Sequence, residues 1–342
     1  MTLKERIEAF SGLGSILMDS LDGRETGYSA SLNELILRQQ YLNPWFTPEN
    51  TRLAVKALAG LLTVQNLTSW TCRYPGIEDD IPPSVVGIVM AGNIPLVGFH
   101  DFLSVLISGN RVLAKTSSRD PDLIVFISNI LCSLNPGFSE RISFTEGLLR
   151  GFDKVIATGS DNSSRYFEYY FGKYPHIIRK NRNGVAVLEG NETDEELSLL
   201  GADIFTYFGL GCRSVSKLYI PFGYDIRELS SKWHNNSDVL NHNKYANNYD
   251  YNKAIYMVNR EEFTDNGFLL LKENSQIPSP VAVLHYQYYN DDEEIRSEIM
   301  NRADKIQCVV SRKDIPFGKA QSPKLWDYAD GIDTLEFLLK KI

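Results

Sequence analysis

The chain has 342 residues, of which 43% are hydrophobic and 23% are charged, and this composition excludes a disordered or fibrous protein. At about 150 residues per domain, the length predicts two domains. The 35 basic and 43 acidic residues leave a net charge of −8, which excludes a general electrostatic attraction to nucleic acid or to an anionic membrane. An anionic ligand therefore needs a local basic site or backbone N–H groups.

The cysteine and histidine patterns predict reduced thiols and no metal site. Four cysteines are too few for a disulfide framework, none stands in a C-x-x-C pair, and the five histidines have no metal-ligand spacing. The first six residues carry charges where a signal peptide needs an apolar segment. The uncharged stretch 81–99 contains prolines and glycines, which favour a strand, a turn and a helix start over a membrane span. We expect a soluble, cytoplasmic protein.

The first 70 residues are predicted to be helical. Apolar residues recur there at three- and four-residue steps, which gives one buried stripe: Ile7, Phe10, Leu13, Leu17 and Leu21. A later helix begins at Thr47-Pro48-Glu49 and runs to about Leu62. Its start combines a capping hydroxyl, a proline in the first turn and an acid near the positive helix end.

From residue 84 onward, short β-branched runs alternate with helical patterns such as 123–134 and 195–207, which predicts an α/β fold with largely parallel sheets. The basic segment 176–184 is interpreted as a passage between domains, and the Asn-rich segment 235–252 as a looser stretch. The predicted domains are 1–182 and 183–342, with the alternative that the last part packs back on the first domain. The predicted strands are 84–90, 111–115, 141–144, 154–157, 185–188, 217–220, 268–271, 281–286 and 306–310.

Cys212 is the candidate nucleophile. It lies between a predicted helix and a predicted strand, and Gly209 and Gly211 leave the backbone before it free to adopt positive φ. A thiolate on such a turn attacks carbonyls and thioesters. The alternative is a buried structural thiol, which is the common role of a cysteine and the one that we assign to the other three thiols. Those three are Cys72, Cys132 and Cys308.

Three further polar segments follow predicted strands. Asn93, in Ala91-Gly92-Asn93-Ile94-Pro95, could stabilise an oxyanion or could cap the next helix. Lys115, Ser118 and Arg119 suit ribose hydroxyls and a phosphate, or form a solvated loop. Thr158-Gly159-Ser160 precedes a helix and could bind an anion or simply cap that helix.

The order of these segments resembles that of the aldehyde dehydrogenase superfamily. Its segment ending in Asn-x-Pro is similar to 86–95, its Gly-Asn-x-Val-x-x-Lys strand to 109–115, its Thr-Gly-Ser turn to 158–160, and its nucleophile to Cys212. Within the superfamily the chain resembles the acyl-CoA reductases of the LuxC type. Segments 45–49, 247–254 and 317–329 are also similar to parts of that group's smaller members.

The resemblance implies an aldehyde-dehydrogenase-like fold with two parallel-sheet α/β domains and a helical N-terminal part. It implies an acyl-CoA or acyl-carrier thioester reductase of fatty acid metabolism that forms an aldehyde through an acyl group on Cys212. Asn93 and the Cys212 N–H would hold the oxyanion, and a homodimer is the family's state. NAD(P)H would be bound by Ala91, Gly92, Lys115, Ser118, Arg119, Thr158, Gly159 and Ser160.

Three departures from the superfamily pattern have consequences. The place of its water-activating Glu falls within 178–181, which holds no carboxylate, so a thioester on Cys212 should hydrolyse slowly unless Glu189 or Glu273 replaces that base. The Glu that contacts the nicotinamide ribose is replaced by Gln276. Where NAD-preferring members have a Glu, the chain has Ser118 followed by Arg119, which favours the 2′-phosphate of NADP, with NAD as the alternative.

Two other classes of function stay open from the sequence. One is another enzyme on the same fold, such as a semialdehyde or aldehyde dehydrogenase, against which the missing Glu argues. The other is an acyltransferase or a non-catalytic homologue that uses no nicotinamide, which the Gln276 substitution leaves open. Nicotinamide binding distinguishes these classes.

Overall fold

A computed structural model describes residues 1–78 and 82–340. The start of the uncharged stretch 81–99 lies outside these residues. The chain divides into two compact units, Met1–Lys180 with Lys324–Ile342, and Asn181–Pro323. The residues from Lys324 onward belong to the first unit. The predicted boundaries place them in the second domain, with the alternative that the last part of the chain packs back on the first domain.

The first unit begins with helices, as predicted. A capping box starts α1, because the Thr2 hydroxyl accepts from the Glu5 N–H while the Glu5 carboxylate accepts from the Thr2 N–H. The predicted stripe residues Phe10, Leu13 and Leu17 are fully buried. Thr47 caps α3, with Pro48 in its first turn. The helices are α1 (Leu3–Leu21), α2 (Ser29–Leu42), α3 (Pro48–Leu61) and α4 (Val64–Thr71).

A five-stranded parallel sheet follows in the same unit, in the order β3-β2-β1-β4-β5. Its strands are short apolar runs, as expected of a parallel sheet that is covered on its faces by helices. The strands are β1 (Val85–Val89), β2 (Arg111–Lys115), β3 (Ile142–Phe144), β4 (Lys154–Thr158) and β5 (His176–Arg179), and the helices between them are α5 (Phe99–Ile107), α6 (Asp122–Leu134) and α7 (Asp161–Phe171).

The second unit contains a six-stranded sheet in the order β11-β6-β7-β10-β9-β8, parallel except for the β8–β9 pair. A separate buried apolar cluster packs around this sheet. The elements are β6 (Asn183–Val187), α8 (Asp194–Phe205), β7 (Val215–Pro221), α9 (Ile226–Ser231), α10 (Asn243–Asn259), β8 (Thr264–Asp265), β9 (Leu270–Glu273), β10 (Val283–Tyr289), α11 (Asp292–Asn301) and β11 (Ile306–Val310).

Lys154 anchors the C-terminal segment to the first unit. The segment ends in α12 (Thr334–Leu339). The Lys154 ammonium, on β4, is buried and donates to the carbonyls of Phe337 at 3.2 Å and Leu338 at 2.9 Å. A cation at these carbonyls stabilises the negative end of the helix. Burial lowers the pKa of Lys154 below its usual value.

The basic segment 176–184, interpreted as a passage between domains, contains the boundary between the two units, after Lys180. It also contains β5, which went unrecognised because only Ile177 and Ile178 mark it as a strand. The interpretation of the Asn-rich segment 235–252 as a looser stretch is wrong. The Asn-rich stretch contains most of α10, which begins after its cap, His242, and buries a tyrosine face. That face consists of Tyr245, Tyr249 and Tyr256, at helical spacing but without aliphatic residues.

Arg179, in the basic segment 176–184, is a buried cation. Its guanidinium lies 2.6 Å from the Asp101 carboxylate, both side chains are less than 10% exposed, and it also donates to the Thr334 hydroxyl at 2.9 Å. One ion pair therefore joins β5, α5 and the segment that leads into α12.

Removing this pair's acid should destabilise the first unit strongly. Asp101→Asn leaves the Arg179 charge buried without its counter-charge, so we expect the free energy of unfolding to fall by about 3–5 kcal/mol in urea titrations. The control is Glu168→Gln, which removes the half-exposed partner of Lys180 and should cost about 1 kcal/mol or less. Equal effects of the two variants would contradict this role of the buried pair.

Candidate active site

Three of the predicted site segments lie at one edge of the first sheet. β1 pairs in parallel with β2 on one side and with β4 on the other, so the loops that follow these strands lie at the same edge. The chain order reverses beside β1, and in open α/β sheets ligands bind at the carboxyl ends of the strands next to such a reversal. The structure therefore brings together the segments 91–95, 115–119 and 158–160.

The loops after β1 and β2 pack directly on each other. A Cβ on Gly92 would lie 2.4 Å from the Ser117 hydroxyl oxygen and 3.1 Å from the Arg119 Cβ, so only glycine fits there. Asp120 makes a second connection, because its carboxylate accepts from the Leu96 N–H at 2.8 Å. The loop that carries Ala91 and Asn93 is thus held against the loop that carries Ser118 and Arg119.

Asn93 is not the cap of the next helix. The N-cap of α5 is Gly98, which makes no side-chain cap hydrogen bond, so that interpretation of Asn93 is wrong. Asn93 is half-buried in the turn between β1 and α5. In the same turn Leu96 adopts φ 59°, a left-handed conformation that is strained for a branched residue.

Two cations stand at the carboxyl end of β2. Lys115 ends the strand half-buried, and Arg119 is exposed on the following loop next to the exposed Ser118. Within residues 1–78 and 82–340, neither cation forms an ion pair. Because the chain is acidic overall, such uncompensated charges form the kind of local basic site that an anionic ligand needs.

The segment 158–160 leads from β4 into α7. Ser160 is the N-cap of α7, and its hydroxyl accepts from the Ser163 N–H at 3.4 Å, so the capping role is observed. Gly159 lies so close to this helix that a Cβ would approach the Phe167 ring to 2.8 Å. Thr158 and Ser160 therefore stand at the positive end of a helix dipole, at the same sheet edge as the two cations.

Cys212 is the second residue of a tight turn between α8 and β7. The turn spans Gly211–Ser214 and is closed by the Ser214 N–H, which donates to the Gly211 carbonyl at 3.0 Å. Cys212 is half-buried. Of the two glycines before Cys212, Gly209 adopts positive φ, at 74°, and Gly211 does not.

Two non-glycine residues before this turn are left-handed. Tyr207 and Phe208 have φ of 54° and 57°, a conformation that costs roughly 1–2 kcal/mol per residue. Packing holds Phe208 in place, because its ring centroid lies 4.4 Å from that of His242 and 6.1 Å from that of Tyr245. Sequence reasoning missed both residues, since bulky side chains carry no signal for positive φ.

Cys308 is a second thiol near Cys212, and its environment is different. It is buried on β11, and its thiol donates to the Arg213 carbonyl, with sulfur and oxygen 3.7 Å apart. Burial raises the pKa of Cys308 to about 11, although the positive charge of Arg213 acts in the opposite direction. Cys308 is therefore a protonated structural thiol near neutral pH, as expected from its apolar strand.

The loop of Gln276 is rigidly anchored in the second unit. The His285 ring lies 3.0 Å from the Gln276 carbonyl, and the Ser216 hydroxyl donates to the Ile277 carbonyl at 2.8 Å. The buried Lys217 ammonium donates to the carbonyl before Gln276 at 2.8 Å. The Gln276 side chain itself is exposed, so the loop presents a neutral amide where the superfamily pattern has an acid.

The residues considered for the water-activating base have different environments. Ile178 and Arg179 are part of β5, and the Arg179 guanidinium is bound to Asp101. Glu189, a candidate replacement, forms ion pairs with Lys313 at 3.1 Å and Arg312 at 3.5 Å. Glu273 is exposed at the end of β9. Glu189 is therefore already paired, and Glu273 is the replacement that the structure leaves accessible.

In the described part of the chain, no helix is long and apolar enough to cross a membrane. Nor does that part contain a group of three or more His, Cys, Asp or Glu side chains that could hold a metal ion.

The fold is that of the aldehyde dehydrogenases. A benzaldehyde dehydrogenase from Corynebacterium glutamicum superposes with a TM-score of 0.64 over 87% of this chain and 74% of its own, at 11% sequence identity. An aldehyde dehydrogenase from Physcomitrella patens gives a TM-score of 0.63 over 91% of this chain and 74% of its own, at 12% identity. The two parallel sheets and the preceding helices agree with the predicted fold class.

Residues 24–236 match the acyl-CoA reductase (LuxC) family, and the chain belongs to that family. It is 25% identical over 191 residues to long-chain acyl-protein thioester reductase 2 of Photobacterium leiognathi, a match that covers 51% of this chain and 40% of that enzyme. The chain thus spans less than half the length of this curated relative.

The environments of the thiols predict selective alkylation. Because Cys308 is buried and its pKa is raised to about 11, iodoacetamide at pH 8 should modify the half-buried Cys212 and the exposed Cys72 and leave Cys308 unmodified. Peptide mass spectrometry of the native protein measures this, with urea-unfolded protein as the control for Cys308. Rapid alkylation of native Cys308 would contradict its assignment as a buried thiol.

Proposed function

We propose that the chain is an acyl thioester reductase that converts an acyl-CoA or acyl-carrier thioester into an aldehyde. The observation that carries the proposal is the Cys212 thiol, held half-buried on the tight turn at the entry to β7. Family membership and the likeness to an acyl-protein thioester reductase support it. A cytoplasmic location and a homodimer are part of the proposal on the family resemblance.

Cys212 is proposed to be the nucleophile. Its thiolate attacks the thioester carbonyl, and the electron pair of the C=O bond moves to oxygen. The Cys212 backbone N–H and the Asn93 amide are proposed to donate hydrogen bonds to that oxyanion. Collapse of the tetrahedral species expels the carrier thiolate, which takes up a proton, and leaves the acyl group on the Cys212 sulfur.

The fate of the acyl group depends on what surrounds it. A thioester is hydrolysed quickly when a carboxylate activates water beside it. The segment 178–181 has no carboxylate, and Glu189 is engaged in ion pairs. The proposed acyl-enzyme therefore persists long enough to be reduced, provided that the exposed Glu273 does not act as that base.

A nicotinamide cofactor fits the carboxyl edge of the first sheet. The uncompensated charges of Lys115 and Arg119 suit its phosphates, Ser118 its adenosine ribose, and the α7 N-terminus with Ser160 its pyrophosphate. The backbone of Ala91, Gly92, Thr158 and Gly159 would line the same edge. When bound, the cofactor supplies the hydride that reduces the acyl group.

The test is product formation by the purified chain. We expect a long-chain acyl-CoA or an acyl-carrier protein, incubated with NADPH, to give the corresponding aldehyde together with loss of NADPH absorbance. Cofactor binding is measured in parallel by fluorescence. Acyl transfer without nicotinamide binding would favour an acyltransferase, for which Gln276 in place of an acid is the supporting observation, and oxidation of added aldehydes alone would favour a dehydrogenase.

Cys212→Ala should abolish aldehyde formation while the melting temperature stays close to that of the wild type, because the side chain is half-buried and its loss leaves a small cavity. Cys132→Ala, at a half-buried helix position, is the matched control and should retain activity. Turnover like that of the wild type in Cys212→Ala would refute the proposed nucleophile.

Arg119 is expected to set the choice of cofactor. A charge-assisted bond to the 2′-phosphate should make NADPH bind about ten- to a hundredfold more tightly than NADH. Arg119→Ala should remove most of this difference, and Ser118→Glu should reverse it through repulsion of the phosphate. Titrations at fixed ionic strength measure both cofactors. A wild-type preference for NADH, or an unchanged preference in Arg119→Ala, contradicts this assignment.

A further inference from the structure

The segment Phe317–Gln321 supports the Cys212 turn. Its Ala320 is fully buried, and the Ala320 carbonyl accepts from the Arg213 guanidinium. The Gln321 amide donates to the Ser214 hydroxyl at 3.1 Å, and Gln321 also lies within 4 Å of the position of a Cβ on Gly211. The two residues that follow Cys212, Arg213 and Ser214, are therefore hydrogen-bonded to this segment.

Asp203 holds the segment from the other side. One carboxylate oxygen accepts from the Gly318 N–H at 2.6 Å and the other from the Ala320 N–H at 2.8 Å. Asp203 is 1% exposed and lies in the last turn of α8. A carboxylate in such a place is costly to bury unless its oxygens are bonded, and here both are.

Both backbone polar groups of Ala320 are therefore hydrogen-bonded. Its N–H donates to the Asp203 carboxylate, and its carbonyl accepts from the Arg213 guanidinium. Asp203 belongs to α8, which precedes the left-handed residues, and Arg213 follows Cys212 directly. The two contacts connect the helix before the nucleophile to the turn that carries it.

We propose that Asp203 is a positioning residue for Cys212, acting through the Phe317–Gln321 segment to fix the turn in its reactive geometry. The proposal deepens the proposed function and rests on Cys212 as the nucleophile.

The ionisation of Asp203 gives this role a measurable signature. Burial raises the pKa of Asp203 to about 6, against the bonds from Gly318 and Ala320 and the charges of Arg213 and Lys319. Above that pH the carboxylate accepts both N–H groups. Below it, a protonated oxygen faces an N–H donor and one bond is lost. The thiols of Cys212 and Cys308 also lie in this neighbourhood. The rate of Cys212 alkylation, corrected for thiolate fraction, should therefore fall on the acid side of pH 6.

Asp203→Asn keeps the shape of the side chain but replaces one of the two acceptor oxygens with an NH₂ group, which cannot accept a backbone N–H. We expect its rate of Cys212 alkylation, corrected for thiolate fraction, to fall about tenfold or more, since small misplacements of a reacting group have effects of this size. The aldehyde-forming kcat should fall in parallel, with the KM for NADPH unchanged, and the rate loss near pH 6 should disappear. Glu195→Gln, an exposed acid on the same helix, is the control. Unchanged alkylation and an unchanged pH profile in Asp203→Asn overturn the proposal.

A second variant covers the case in which Asp203→Asn does not fold. Gln321→Ala removes only the half-buried contact to Ser214, and it should slow Cys212 alkylation about threefold or more while keeping the rate loss near pH 6. Alkylation at the wild-type rate in this variant also overturns the proposal. Because alkylation needs no acyl substrate or cofactor, it tests the positioning role even if the reductase assay fails.

Discussion

Parallel strand pairing is the constraint on which the first unit depends. Parallel strands cannot be joined by hairpins, so every connection returns through a crossover and all strands end at the same edge. The carboxyl ends of β1, β2 and β4 therefore meet, although they are far apart in the sequence. Gly92 allows the first two loops to touch, and the Asp120 carboxylate joins them. Each of these segments alone is a weak indication of a binding site. Together they place two cations and a helix N-terminus at one edge of the sheet.

Buried charged groups hold irregular segments that apolar packing alone would leave loosely placed. Lys154 and Arg179 bind the C-terminal segment of the first unit through carbonyls and a hydroxyl, and Arg179 also pairs with the Asp101 carboxylate of α5. Asp203 does the same for Phe317–Gln321 in the second unit. Each pairing satisfies a desolvated charge and at the same time fixes the position of backbone that has no regular structure of its own.

The sequence predicted what depends on local pattern. The apolar stripe of α1, the cap of α3 and strands such as Arg111–Lys115 follow from periodicity and capping chemistry. Prediction from the sequence failed where tertiary packing determines the local structure. β5 carries too few apolar residues to be recognised, and α10 buries tyrosines instead of aliphatic residues. The left-handed Phe208 is held by rings from α10 and its cap. The role of Asp203 depends on a segment more than a hundred residues away, which no local pattern reveals.

The most direct test of the account is intact-protein and peptide mass spectrometry after mixing the chain with a long-chain acyl-CoA in the absence of NADPH. The account predicts one acyl group per chain, on the peptide that contains Cys212, with a mass increase equal to the acyl group and a slow decay in buffer. Addition of NADPH should remove it and release the aldehyde. Acylation at another residue, or no adduct while aldehyde still forms, would contradict the central claim that Cys212 carries the acyl group.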